Sequence, residues 1–236
     1  MSGFNKFLFS SIGNKLLVTI TGLFLILFLI VHLLGNIQLL IPDGGETFNV
    51  YSEIFGSNLI IKFVAYTLYI AILLHTYKGF TIWAKNRKAR GSVKYAGKGK
   101  AKTTFSSRNM MWLGSIIFVF IVLHMSDFWF KFKFTDIEAQ NMSHFDVVQA
   151  SFQELWIVIV YVLGSIVLGY HISHGFQSAF QTLGLRTGKY TKLIQTGSVV
   201  FAVLMAVLYA VIPVLMYMDV YPLPAFRVLP VPGAAH

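Results

Sequence analysis

The sequence has no cysteine among its 236 residues. That absence excludes disulfides, thiolate-held iron–sulfur clusters, covalently attached c-type haem and cysteine nucleophiles. Acids are scarce as well: nine Asp and Glu stand against 19 Lys and Arg, for a net charge of +10. Charged residues make up 12% of the chain, about half of what a soluble domain carries. No glycine-rich dinucleotide fingerprint and no P-loop occurs. Redox or hydrolytic chemistry on a soluble substrate therefore has to come from a partner chain.

What the chain does have is apolar length. Hydrophobic residues form 56% of it, the mean hydropathy is +0.68, and the apolar residues come in blocks of about 20 or more, which marks membrane spans. The expected spans are Lys15–Leu40, Asn58–Ala84, Arg108–Phe130, Phe152–Leu183 and Leu193–Met218. The expected fold is an all-α integral membrane protein, one bundle of five transmembrane helices. The first run is too long for a signal peptide and no small-residue cleavage site follows it, so it is expected to be a retained span.

Charge gives an orientation. Lys and Arg cluster between spans two and three, in "AKNRKARGSVKYAGKGKAKTTFSSR", with further cations at Lys6, Lys15, Arg186, Lys189 and Lys192. Acids gather in the other connections, at Asp43, Glu46, Glu53, Asp136, Glu138, Asp146 and Glu154. The positive-inside rule then puts the N-terminus and the basic loop in the cytoplasm and the C-terminus outside. Trp83, Trp112, Trp129 and Trp156 all fall at span ends, where an aromatic belt belongs. The basic loop is read as this topology signal, and as a surface for anionic lipid or an acidic partner, rather than as a nucleic-acid site.

Five of the seven histidines lie inside spans: His32, His75, His124, His171 and His174. A buried imidazole is costly in hydrocarbon, and a lone one usually hydrogen-bonds between helices. Here each of the first four spans carries one at a matched depth. His32 and His124 fall roughly 6 Å to the outer side of the midplane, and His75 and His171 roughly 6–8 Å to the inner side. The two layers are then roughly 12–14 Å apart along the membrane normal.

Paired imidazoles on facing helices are what a six-coordinate b-type haem requires, so two such haems are the leading expectation. Gly35, Gly79, Gly164 and Gly175 lie at helical spacing from the ligand candidates and would relieve crowding around a macrocycle. Two other readings stay open: a histidine-lined ion or metal transporter, and a purely structural anchor. The first lacks paired carboxylates within the spans; the second leaves the layered histidines unexplained. His174, one turn from His171, and Arg108 are candidates for contact with haem propionates. Lys78 and Lys15 are the other cations near the inner layer, and the fifth span is assigned packing and lipid contact.

At these residues the chain resembles a known family, the single-chain dihaem cytochrome b subunit of succinate:quinone oxidoreductases and fumarate reductases, closest to its b558-type branch. The matching pieces are "SSIGNKLLVTITGLF" and "VHLLGN" in span one, "LLHTYKG" in span two, "SSRNMMWLG" and "VLHMSDF" in span three, and "YHISHGFQ" in span four. The resemblance implies that His32 and His124 ligate the outer haem iron and His75 and His171 the inner one. It implies a flavoprotein and an iron–sulfur subunit on the cytoplasmic face of a bacterial inner membrane. It also implies electron delivery to a quinone, menaquinone in this branch, with the transmembrane field contributing about 2.3 kcal/mol per charge per 100 mV. A fumarate-reducing subclass carries an acid two residues before the span-four ligand; that position is Gly169 here, which favours succinate oxidation. Glu53, near the outer end of span two, is the candidate for proton exchange with the quinone. The cytochrome b of a membrane hydrogenase or formate dehydrogenase is the neighbouring alternative.

Overall fold

A computed structural model of the chain describes residues 10–90, 105–135, 137 and 142–218. Among them the structure is 90% helical, with no strand. The helices are α1 (Ser11–Ile37), α2 (Glu46–Ser57), α3 (Leu59–Arg90), α4 (Phe105–His124), α5 (Lys131–Phe134), α6 (His144–Phe152), α7 (Leu155–Thr182) and α8 (Thr191–Tyr217). Short 3-10 turns follow α1 and precede α8, and a π-helical turn, Met125–Phe130, joins α4 to α5.

Among the described residues five segments are long and apolar enough to cross a membrane: Ser11–Leu40, Leu59–Ala89, Arg108–Phe134, Leu155–Thr182 and Gly188–Tyr217. The protein is a multi-pass membrane protein. Many of its large apolar side chains point outward, with Leu59 81% and Phe63 72% exposed, which suits a bundle solvated by lipid chains. α7 is the most enclosed span; it packs against α1, α4 and α8, and α3 lies against α1.

Local chemistry sets the ends of these elements. Ser10 caps α1, its hydroxyl accepting from the Gly13 N–H at 3.0 Å. Asn58 does the same for α3, accepting from Ile60 and Ile61 at 2.9 and 3.2 Å. The third span runs to Phe134, past the expected Phe130, because the π turn carries the helix onward. The fourth begins at Leu155 rather than Phe152, because the residues before it belong to a separate helix. Gly184, in the left-handed region at φ 74°, ends α7.

Neither α2 nor α6 was expected from the sequence. Gly45 enters α2 at φ 87°, and a Cβ there would lie 2.2 Å from the Phe145 ring of α6, so only glycine suits the place. Ser143 and Asp146 form a reciprocal capping box at the start of α6. The two short helices meet where the Phe145 N–H donates to Asn49 Oδ1 at 2.9 Å. They bury Phe48, Phe145, Val148 and Phe152 against the end of the bundle where α1 stops. Most of the basic loop, the Pro-rich tail with Asp219 and His236, and Lys6, Asp136 and Glu138 lie outside the described residues.

Candidate functional site

Four helices each contribute one histidine, and the rings meet in two pairs. His32 of α1 and His124 of α4 have ring centroids 5.7 Å apart. His75 of α3 and His171 of α7 are 6.2 Å apart. Two imidazoles bound on opposite sides of one metal, at metal–nitrogen distances of about 2.0–2.1 Å, hold their centroids about 6 Å apart. The donor type and the spacing of both pairs fit a bis-imidazole centre.

The separation of the layers can be read on three helices independently. Gly22 of α1 lies against His75, and His32 follows it by ten residues. Gly114 of α4 lies against His171, and His124 follows it by ten. Tyr161 of α7 contacts His124, and His171 follows it by ten. At 1.5 Å per residue the layers are about 15 Å apart along the helices, a little more than the sequence alone implied.

Hydrogen bonds fix which ring nitrogen carries the proton. His75 Nδ1 stands 3.2 Å from the Val18 carbonyl, which can only accept, so Nδ1 is the donor and Nε2 keeps its lone pair. Thr21 Oγ1 adds a contact at 3.2 Å while giving its own proton to Leu17 O. In the other layer, Tyr161 donates to Asp127 Oδ2 at 3.3 Å. A phenol has one proton, and with that proton given to Asp127 the 3.3 Å contact between its oxygen and His124 Nδ1 is one that the imidazole donates. His124 Nε2 is thereby left as a lone-pair donor as well. A ligating histidine is ordinarily held in this way. His171 differs, since its Nδ1 is buried with no hydrogen-bond partner. A polar atom left so costs about 1–3 kcal/mol.

The outer pair sits in an aromatic cradle. Phe28 stacks on His32 at 5.1 Å, Phe128 and Phe120 flank His124 at 5.4 and 6.1 Å, and Tyr209 lies 6.3 Å from His32. Tyr209 belongs to α8 and donates to the Leu29 carbonyl at 2.7 Å. The fifth span, expected only to pack and face lipid, therefore also borders the outer pair.

Four glycines were expected to make room beside the ligands; two of those places are filled by side chains and two are open. The space beside Gly35 is filled by the Tyr51 ring and that beside Gly164 by Phe120, each 2.7 Å from where a Cβ would stand. Gly79 meets nothing within 4 Å, and Gly175 only Met110 Cε at 3.8 Å. The glycines that face the imidazoles are Gly22 and Gly114. Gly169 also has a definite place: a Cβ on it would lie 2.9 Å from Ala206 Cβ and 3.3 Å from the Ala202 carbonyl. A carboxylate side chain would not fit between α7 and α8 at this position.

The other candidates are placed as follows. Arg108 is exposed six residues before Gly114, about 9 Å along α4 from the inner pair. His174 is half-buried one turn beyond His171. Lys78, three residues after His75, donates to the buried Asn14 at 2.9 Å. Glu53 is on the exposed side of α2 rather than at the end of a span, and Tyr51 is the α2 residue that reaches α1. Tyr161, Gly22 and Gly114 escaped the sequence reading. A helical wheel could have put Gly22 and Gly114 on inward faces, but only packing shows which ring each meets. Among the described residues no three His, Cys, Asp or Glu side chains gather in one place. Comparison with protein-family models, curated proteins and solved structures finds no match.

Proposed function

We propose that this chain is the dihaem b membrane anchor of a succinate:quinone oxidoreductase. His32 and His124 would hold one haem iron, and His75 and His171 the other. Bound there, the haems supply one-electron transfer between an iron–sulfur partner and a quinone, menaquinone by the resemblance. The single observation that carries the reading is the pairing itself: four histidines from four helices meet as two couples, each at the spacing of a bis-imidazole centre.

The protein's own part is to bind and orient. Val18 and Tyr161 hold Nδ1 of His75 and His124, so that Nε2 is free to donate in each layer. The aromatic side chains around the outer pair exclude water. Two protein donors per layer suit a haem, whose macrocycle fills the other four positions of a six-coordinate iron; a tetrahedral zinc site takes three or four. That count favours haem over the transporter reading.

In this proposal the α1 start and the basic loop face the cytoplasm of a bacterial cell, where the flavoprotein and iron–sulfur subunits dock, and the α2–α6 end faces outward. The test is the visible spectrum of the purified chain with a haem count. Two haem b per polypeptide with low-spin bis-imidazole features are expected; a folded native preparation without haem would overturn the proposal. Flavin-dependent succinate oxidation by the co-purifying subunits separates it from a hydrogenase or formate dehydrogenase cytochrome.

A further inference from the structure

Asp127 and Tyr161 link to His124 in a way that ligand geometry alone does not require. A carboxylate within a membrane span is expensive and usually marks function. Asp127 lies inside the π-helical turn Met125–Phe130, which starts one residue after His124. Single π turns within α-helices occur frequently at functional sites. Among the described residues its partner is a phenol and not a cation: Tyr161 donates to Oδ2 at 3.3 Å. The phenol in turn accepts from His124 Nδ1, also at 3.3 Å. Its ring is packed by Phe120 and Phe152 at 5.1 Å and by Phe128 at 5.9 Å, so the hydroxyl has little freedom to turn elsewhere.

We propose that Asp127, through Tyr161, is a positioning element for His124 that makes its imidazole a more electron-rich donor than the two histidines of the other pair. The inference rests on the dihaem reading. A carboxylate that accepts the phenol proton makes the phenol oxygen a better acceptor. That oxygen draws on the Nδ1–H of His124 and raises the basicity of Nε2. Among the described residues the inner layer has no equivalent: His75 bonds to a neutral carbonyl, and His171 Nδ1 has no partner there. A more basic ligand, with a negative charge behind it, stabilises the ferric over the ferrous state. The outer centre should therefore be held at a lower potential than its aromatic surroundings alone would give.

The experiment is a redox titration of the haem-loaded protein, with any co-purifying subunits, comparing wild type with Tyr161→Phe and Asp127→Asn. Phe keeps the packed ring and removes only the hydroxyl. The expected result is a rise in the midpoint potential of the outer haem in both variants, with the inner haem unmoved. A tenfold loss of ferric preference reads as about 59 mV for one electron. A shifted low-spin signature of the outer haem alone should accompany it. Selective loss of the outer haem from Tyr161→Phe also supports the link, since such partners are worth about 10–100-fold in affinity. Unchanged outer potentials in both variants, or equal shifts of both haems, overturn it. If Tyr161→Phe fails to assemble, Asp127→Asn, which leaves every packed ring in place, decides the matter. Wild-type protein without haem would instead overturn the dihaem reading itself, before any variant is compared.

Discussion

Gly22 on α1 lies against the imidazole of His75 on α3: a Cβ added there would come within 3.1 Å of His75 Cε1. The ring cannot easily retreat, because its Nδ1 is tied to Val18 on the same helix that carries Gly22. Gly114 bears the same relation to His171, but more loosely, at 3.5 Å.

Gly22→Ala should therefore disturb the inner pair and Gly114→Ala should be tolerated. Alanine favours a helix over glycine by up to about 1 kcal/mol, so loss of stability at Gly22 would come from the ring contact and not from the backbone. The expected outcome is a lowered yield of the inner haem in Gly22→Ala, a greater loss in Gly22→Val, and a normal outer haem in each. Equal behaviour of Gly22→Ala and Gly114→Ala would contradict it.

Under the dihaem proposal the histidines divide by role. His32→Ala and His171→Ala should each reduce the haem count from two to one per chain, because one imidazole remains in each damaged layer. His174→Ala should keep both. A pyridine haemochrome assay with iron analysis reads the count, and retention of two haems with unchanged axial ligation in His32→Ala would show the pairing to be wrong.

Gly169 should reject larger residues for a reason unrelated to the histidine pairs. Its neighbours on α8 are Ala206 and the Ala202 carbonyl, at 2.9 and 3.3 Å from a built Cβ. Gly169→Leu should cost about 1–3 kcal/mol by overpacking. Gly169→Ala should be partly rescued by Ala206→Gly, the signature of a direct contact in a double-mutant cycle. Thermal unfolding in detergent is the measurement; additive losses in the double variant would argue against the contact.

The loop before α2 should respond to acid. Thr47 donates its hydroxyl to the Asp43 carboxylate, the Gly45 and Thr47 N–H groups donate at 2.9 Å each, and the hydroxyl bond does most to hold the Asp43 pKa below its ordinary 3.8. A carboxyl depressed in the folded state contributes stability above its unfolded value and loses it as the pH falls through the folded one. Amide exchange at Gly45 and Thr47 should therefore speed up relative to the rest of α2 below pH 3.8, and Asp43→Asn should abolish that dependence. An unchanged profile in Asp43→Asn would rule out this carboxylate as the cause.

The α2 and α6 helices show why part of the fold was hard to read. Both carry start signals in the sequence, Asp43 to Glu46 before α2 and Ser143 to Asp146 before α6. Neither has the apolar length that makes a span conspicuous, and each is stabilised by the other through Asn49, Gly45 and Phe145. A short helix whose partner is distant in sequence leaves little local trace. Tyr161 was overlooked for a similar reason. It is 37 residues from His124, and nothing in the chain between them announces the contact.

By itself the sequence determined that this is a multi-pass membrane protein, that five segments are long and apolar enough to cross, and that its histidines are spaced as two layers along the helices. Hydropathy is a property of consecutive residues, and depth follows from a fixed rise of 1.5 Å per residue, so both survive without knowledge of the neighbours. What only the tertiary structure decided is rotation about each helix axis. It turned Gly22 and Gly114 toward the imidazoles, set Gly35, Gly164 and Gly169 against other side chains, brought Tyr209 of the fifth span to His32, and placed Tyr161 between Asp127 and His124. Which face of an apolar helix meets which neighbour depends on how side chains interlock across the bundle, and hydrophobicity in a lipid solvent does not distinguish those faces.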